Sequence, residues 1–183
     1  MMPIVLIPKH RRAGIASICT VAFLCCLMPA GCHAPNSAKA QKGLLITSHV
    51  DLKSYVHSTV GANGHRETKI YFPLLQIYDA LGNLVYVGHD SRQNSKALEG
   101  LADGTDKMTP VSGASSLTQA ISDTPAFSSE GSAIAHTNRP TIISVFLEDC
   151  HACSVQEEAL DKTQEHLQEQ GINLLIVRVS KPS

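Results

Sequence analysis

The sequence predicts an α/β protein with a mixed sheet, and a strand–helix–strand pattern near the C-terminus is the main reason. Thr141–Leu147 is a continuous apolar run, which is typical of a strand covered on both faces. Cys153–Gln170 has the spacing of an amphipathic helix that ends at Gly171. Its apolar positions are Val155, Ala159, Leu160 and Leu167. Ile172–Val179 is a second apolar run, so the three segments form a right-handed βαβ unit with two parallel strands.

A hairpin upstream supplies the antiparallel part of this sheet. Ile70–Tyr78 is rich in β-branched, aromatic and aliphatic residues, which favours a strand. Asp79–Asn83 contains the residues of a turn, because Gly and Asn tolerate positive φ. Leu84–Gly88 follows as a second strand, and the pair predicts an antiparallel hairpin.

The other segments give weaker signals. Leu44–Thr47 is a short apolar run that predicts a strand. Asp51–Val60 and Ser91–Leu101 have apolar residues at helical spacing and predict helices. Ala102–Arg139 is dominated by Ser, Thr, Gly, Ala, Asp and Pro, so we expect mostly loop with a short helix at Ser116–Ser122.

The first 31 residues have the pattern of a secretory signal peptide. Lys9-His10-Arg11-Arg12 is basic, and an uncharged apolar run follows from Ala13 to Met28. This run is shorter than the roughly 20 residues of a membrane-spanning helix. We therefore predict a signal peptide over 1–31, a tether over 32–43 and a domain over 44–183.

Ala30-Gly31-Cys32 resembles the lipobox of bacterial lipoproteins. This resemblance implies that Cys32 becomes the acylated N-terminus, so that a lipid anchor holds the protein to the membrane, facing the periplasm of the cell envelope. His33, rather than an Asp, follows the Cys, which resembles lipoproteins of the outer membrane if the host is Gram-negative. Pro29 stands where the family usually has an aliphatic residue, and ordinary cleavage near Ala34 or Ala38 is the alternative.

Of the six cysteines, two remain as a candidate functional site. Three lie in the leader, and Cys32 is the predicted lipidation site. Cys150 and Cys153 remain, spaced as C-x-x-C, in a compartment where disulfides persist. They follow an apolar strand and begin a helix, whose N–H groups and macrodipole stabilise a thiolate. Cys150 is therefore the predicted attacking thiolate, and Cys153 is placed to resolve a mixed disulfide.

Neighbouring charges act on the pair in opposite directions. His151, when protonated, stabilises a thiolate, whereas the carboxylates of Glu148 and Asp149 raise a thiol pKa. The sequence leaves the balance between these effects open.

Pro140 to Val179 resembles the thioredoxin superfamily: an apolar strand, Cys150-His151-Ala152-Cys153, a long helix and an apolar strand. The resemblance implies a three-layer α/β/α sandwich with a mixed sheet. Phe72-Pro73 resembles the family's cis proline, which implies that Phe72, Pro73 and His151 position a substrate. Asp149 replaces the Trp that often precedes the first Cys, and His151-Ala152 replaces Gly-Pro, so the direction of electron flow stays open.

The order of the segments departs from that family, because the hairpin here precedes the C-x-x-C unit. The resemblance then implies a permuted fold, with hairpin first, βαβ unit last and 102–139 as the connection. The alternative is the usual order, with the hairpin as an N-terminal extension and the fold truncated after the βαβ unit. In either case Pro73 also suits an ordinary strand start.

The resemblance implies thiol–disulfide exchange on protein thiols or disulfides in the envelope, with an electron-transfer partner and no cofactor beyond the Cys150–Cys153 disulfide. Soft-metal binding of Cu or Zn by the same pair is an alternative, but a structural zinc site wants four ligands. A non-enzymatic lipoprotein is another, although a staple closing so short a loop constrains the unfolded chain little. A net charge of −1 argues against nucleic-acid binding by bulk charge.

Overall fold

The computed structural model describes residues 41–62, 70–124, 127 and 131–181. They belong to one compact unit, Ala38–Ser183. The predicted signal peptide and Cys32 lie outside the described residues.

Five strands and five α-helices lie in the described part of the chain. The strands are β1 (Leu45–Asp51), β2 (Leu74–Tyr78), β3 (Leu84–Gly88), β4 (Thr141–Leu147) and β5 (Asn173–Ser180). The α-helices are α1 (Leu52–Ala62), α2 (Ser91–Ala102), α3 (Leu117–Ser122), α4 (Gly131–Ala135) and α5 (Ser154–Glu169). A 3₁₀ turn, His151–Cys153, precedes α5.

The strands form one mixed sheet in the order β1-β5-β4-β2-β3. β4 and β5 are parallel, as are β5 and β1, whereas β2 is antiparallel to both β4 and β3. The predicted parallel pair and the predicted hairpin are both confirmed. The hairpin comes first in the chain but lies directly beside β4, the strand that leads to the cysteines.

Helices cover both faces of this sheet, which confirms the predicted α/β sandwich of three layers. On one face, α2 and α5 pack through Leu98, Leu160 and Leu167 against strand residues such as Leu75 and Ile142. On the other face, helix residues cover the alternate strand positions. This second cluster includes Tyr55, Leu117, Ile121, Ile143, Val145, Leu175 and Val177. The alternation follows from the two-residue side-chain period of a strand.

The described residues of 102–139 are mostly loop, as predicted, but the segment also contributes to the core. The helix expected near Ser116–Ser122 is confirmed, but α4 was not predicted. Phe127 and Ile134 are buried in the second cluster together with Leu117 and Ile121. The sequence did not predict this contribution to the core, because isolated apolar residues among Ser, Thr and Gly show no period and only the sheet gives them a surface to cover.

Gly171 ends α5 as predicted. It has a φ of 81°, and its N–H donates to the Gln168 carbonyl at 2.9 Å. The next N–H, of Ile172, donates to the Leu167 carbonyl at 3.0 Å, and both side chains are buried in the same cluster. This is a Schellman motif, which needs a left-handed residue and so favours Gly. It turns the chain directly into β5.

Within residues 41–62, 70–124, 127 and 131–181, no helix is both long and apolar enough to cross a membrane.

We expect the 102–139 segment to stabilise the domain. Leu117 is 4% exposed, so Leu117→Ala should lower the free energy of unfolding by about 2–5 kcal/mol. Val111, 43% exposed in the same segment, is the matched control, and Val111→Ala should change it by less than about 0.5 kcal/mol. Chemical denaturation measures both; equal small losses would mean that the segment adds nothing to the core.

We expect Tyr78 to lower the free energy of unfolding at alkaline pH. Burial, with a smaller contribution from Asp123, raises the pKa of Tyr78 to about 12 from an unfolded value of 10.0. Above pH 10 the unfolded chain loses the phenol proton while the folded chain keeps it. Stability therefore falls between pH 10 and 12, by about 1.4 kcal/mol per pH unit from this group.

Tyr78→Phe separates this effect from general alkaline unfolding. The Tyr78 hydroxyl has no hydrogen-bond partner within the described part of the chain. The variant should therefore gain about 1 kcal/mol at pH 7 and show a flatter alkaline profile. Denaturant titrations from pH 7 to 12 measure both quantities, and an unchanged alkaline slope would contradict the assignment.

Candidate functional site

The cysteines lie in a tight turn between β4 and α5. β4 ends at Leu147, whose carbonyl accepts from the Cys150 N–H at 3.2 Å. Asp149 takes a left-handed φ of 54°, which reverses the chain. The Cys150 carbonyl then accepts from the Cys153 N–H at 2.9 Å, and the 3₁₀ turn continues into the 16-residue α5. The pair therefore precedes the positive end of a long helix, as the sequence predicts.

Cys150 and Cys153 form a disulfide, with their Cα atoms 5.2 Å apart. The two sulfurs differ in environment. Cys153 is 2% exposed and belongs to the core cluster below α5, whereas Cys150 is half-buried at the edge of that cluster. An incoming group therefore reaches Cys150 more readily than Cys153.

Pro73 lies at the end of the sheet where β4 stops. The Phe72–Pro73 peptide bond is cis, and Pro73 is buried. The next residue, Leu74, begins β2 and pairs with Val145 of β4. Phe72 is half-buried, with its ring centroid 5.7 Å from that of Tyr55. Its side chain thus packs against both core clusters.

His151 is exposed on the outer side of the turn. It borders a shallow groove formed with Ala152, Val155 and the loop before α2, which includes His89. The His89 ring lies 5.5 Å from the exposed ring of Tyr71, the residue before Phe72. Backbone of the turn is held from this side as well, because the Ser91 hydroxyl donates to the Ala152 carbonyl.

His151 also borders a second depression, a cleft of about 510 Å³ beside the disulfide. Both cysteines line it, together with Phe146 on its floor. Arg178 from β5 also lines the cleft, pairs with Glu157 at 2.5 Å and lies 5.9 Å from the Phe146 ring centroid. Sequence reasoning missed Arg178, because it is the single charge in an apolar strand and only the sheet register places it beside Phe146.

The acidic residues expected to raise the thiol pKa are exposed. Glu148 and Asp149 lie at the rim of the same cleft. The Asp149 carboxylate is 3.7 Å from the Lys181 ammonium group, and the two side chains are 86% and 52% exposed. Water and salt screen charges in such positions.

One predicted position in α5 is wrong. Val155 was expected on the inward stripe, but it is 45% exposed. Gln156 is fully buried in its place, together with Ala159, Leu160 and Leu167. The positions 156, 159, 160 and 167 match the helical period, so the inward face starts one residue later. The apolar pattern does not indicate that Gln156 is buried, because its side chain is polar. The same holds for Ser144 within the apolar β4.

The described residues contain no group of three or more His, Cys, Asp or Glu side chains arranged to hold a metal ion.

Comparison of the chain with protein-family models, with curated proteins and with solved structures gave no match. The fold and the Cys150–Cys153 disulfide are compatible with a thioredoxin-like domain.

The unequal burial predicts unequal reactivity. After reduction, a limiting amount of iodoacetamide should label Cys150 and leave Cys153 largely unlabelled, because alkylation needs an accessible thiolate. Peptide mass spectrometry on the full chain measures the two sites separately from the other cysteines. The same experiment in denaturant is the control, where the two labels should become similar. Preferential labelling of Cys153 in the folded protein would contradict the assignment of Cys150 as the reachable sulfur.

Proposed function

We propose that this protein catalyses thiol–disulfide exchange on protein substrates through Cys150 and Cys153. The observation that carries the proposal is the asymmetry of the pair: a reachable sulfur at Cys150 and a buried one at Cys153, joined in a turn at the start of a long helix. A purely structural disulfide that closes so short a loop adds little to the stability of the folded protein. Exchange chemistry, in contrast, needs one accessible thiol and a second thiol within its reach.

We further propose that the domain is a thioredoxin-like domain with its segments in permuted order. The supporting features are the mixed sheet, the C-x-x-C turn after a central strand, and the cis Pro73 at the same end of that sheet. In this proposal residues 102–139 form the new connection between the hairpin–helix half and the βαβ unit. The backbone at Phe72 and Pro73, with His151, would align an extended substrate segment.

The reaction balances without a cofactor. In the reducing direction, the Cys150 thiolate attacks one sulfur of a substrate disulfide, forming a mixed disulfide and releasing one substrate thiolate. The Cys153 thiolate then attacks the Cys150 sulfur, which closes the internal disulfide and releases the second substrate thiolate. Two electrons pass to the substrate, whose thiolates take up the two protons that the cysteines lose. The oxidising direction is the reverse, and an electron-transfer partner restores the starting state.

The location in this proposal comes from the leader. A signal peptide over 1–31 and acylation of Cys32 would anchor the domain to the membrane on the periplasmic side of a bacterial envelope. That compartment allows both disulfide and dithiol forms of the pair to exist.

A redox titration tests the function. The full chain, purified in detergent, is equilibrated with mixtures of reduced and oxidised glutathione, and the Cys150–Cys153 peptide is quantified by alkylation and mass. We expect a reduction potential between about −270 and −120 mV, the range of exchange-active pairs. A potential below about −300 mV would identify a structural disulfide and overturn the proposal.

A trapping pair of variants accompanies the titration. Cys153→Ser should accumulate a mixed disulfide at Cys150 with a disulfide-bonded peptide, because the second attack is lost. Cys150→Ser is the matched control and should trap far less, since Cys153 is buried.

A further inference from the structure

Four neutral polar side chains meet below the C-x-x-C turn. They are Asn94 on α2, Ser144 on β4, Gln156 on α5 and Tyr86 on β3. Asn94, Ser144 and Gln156 have no exposed surface. Buried polar groups of this kind cost free energy unless their hydrogen bonds are made, and here they satisfy one another.

Gln156 is the junction of this network. It lies one turn after Cys153, and its Nε2 donates to the Ser144 Oγ at 2.7 Å and to the Leu74 carbonyl at 3.3 Å. Ser144 belongs to the strand that leads to Cys150, and Leu74 directly follows Pro73. One side chain thus connects α5, which begins directly after Cys153, with β4 and with the start of β2.

Asn94 binds the amide oxygen of Gln156, the group that does not contact Ser144 or Leu74. Its Nδ2 donates to the Gln156 Oε1 at 2.5 Å and to the Gly88 carbonyl at 3.3 Å. Its Oδ1 accepts from the Tyr86 hydroxyl at 2.8 Å. A Cβ at Gly88 would overlap both Asn94 Oδ1 and that hydroxyl, so the network leaves no space for another residue there.

A second set of contacts from α2 holds the backbone of the same turn. The Ser91 hydroxyl donates to the Ala152 carbonyl, and the Ser95 hydroxyl shares its proton between the Ser91 carbonyl at 2.8 Å and the Val155 carbonyl at 3.2 Å. The Ala152 and Val155 carbonyls lie on either side of Cys153. The position of Cys153 is therefore set by hydrogen bonds that do not depend on the disulfide itself.

We propose that Gln156 is a positioning residue that holds Cys153 within reach of Cys150 while the disulfide is open. This inference rests on the proposed function. In the mixed disulfide the covalent link between the two cysteines is absent, and Cys153 must attack the Cys150 sulfur along a defined direction. The groups that contact the Gln156 amide are neutral, so it acts through geometry rather than by charge.

The test separates the two steps of exchange. The reduced full chain, in detergent, is mixed with oxidised glutathione, quenched with acid, and the mixed disulfide on the Cys150–Cys153 peptide is followed by mass. Gln156→Met keeps the volume and removes all three hydrogen bonds of the amide. We expect formation of the mixed disulfide to stay within about twofold and its decay to slow on the order of tenfold, because small misplacements of reacting groups cost large factors in rate.

Asn173→Leu is the matched control. Asn173 is also a fully buried amide, but it lies at the opposite end of β5, where it binds Leu44 N, Thr137 and Thr141. This variant should lose stability without slowing the decay by more than about twofold. A slower decay in both variants, in proportion to their loss of stability, would overturn the positioning role.

Ser144→Ala keeps the test decisive if Gln156→Met does not fold. It removes one of the three hydrogen bonds of the amide, and the decay should slow by a smaller factor than in Gln156→Met. Wild-type decay rates in both variants, with the native chain active, would refute the inference alone. A native chain that forms no mixed disulfide would refute the proposed function instead.

Discussion

The burial of β4 is the constraint on which the rest of the molecule depends. Six of its seven residues are buried, and it is hydrogen-bonded to β5 on one edge and to β2 on the other. A strand with two apolar faces needs a helical layer on each side, which α2 and α5 provide on one face. Because the C-x-x-C turn follows β4 directly, the placement of the strand in the sheet also places the disulfide.

Two buried amides fix the ends of the central strands. At one end, Asn173 joins the start of β5 to the Leu44 N–H and to Thr141 of β4. At the other end, Gln156 joins α5 to β2 and β4 just below the disulfide. Hydrophobic packing alone allows neighbouring elements to slide by small amounts, whereas an amide with directional partners accepts few arrangements. The layers are thus packed by apolar contacts and aligned by these polar ones.

The disulfide lies between two different surfaces. The cleft on one side contains paired charges, with Arg178 and Glu157 beside Phe146. The groove contains the exposed Val155, and His151 borders both the groove and the cleft. Cys150, the more accessible sulfur, lines the cleft, and the groove begins at the next residue, His151. Substrate preference in the proposed exchange reaction would therefore depend on residues from β5 and the start of α2 as well as on the C-x-x-C turn itself.

Local patterns in the sequence determined most of the individual elements. The bounds of β3 and β4, the Gly171 helix stop and the C-x-x-C turn after a buried strand all follow from short-range composition and period. These features depend on residues within a few positions of one another, so they are visible without the fold.

Tertiary structure alone decided which distant residues meet. The sequence favoured Val155 over Gln156 as an inward residue, because burial of a polar side chain costs free energy unless partners elsewhere satisfy it. Those partners, Asn94, Ser144 and the Leu74 carbonyl, come from three other elements. For the same reason, the sequence does not show that Arg178 lines the cleft or which residues of 102–139 enter the core. Periodicity records which face of an element is apolar, but the identity of the neighbour on that face is set only when the sheet order and register bring the elements together.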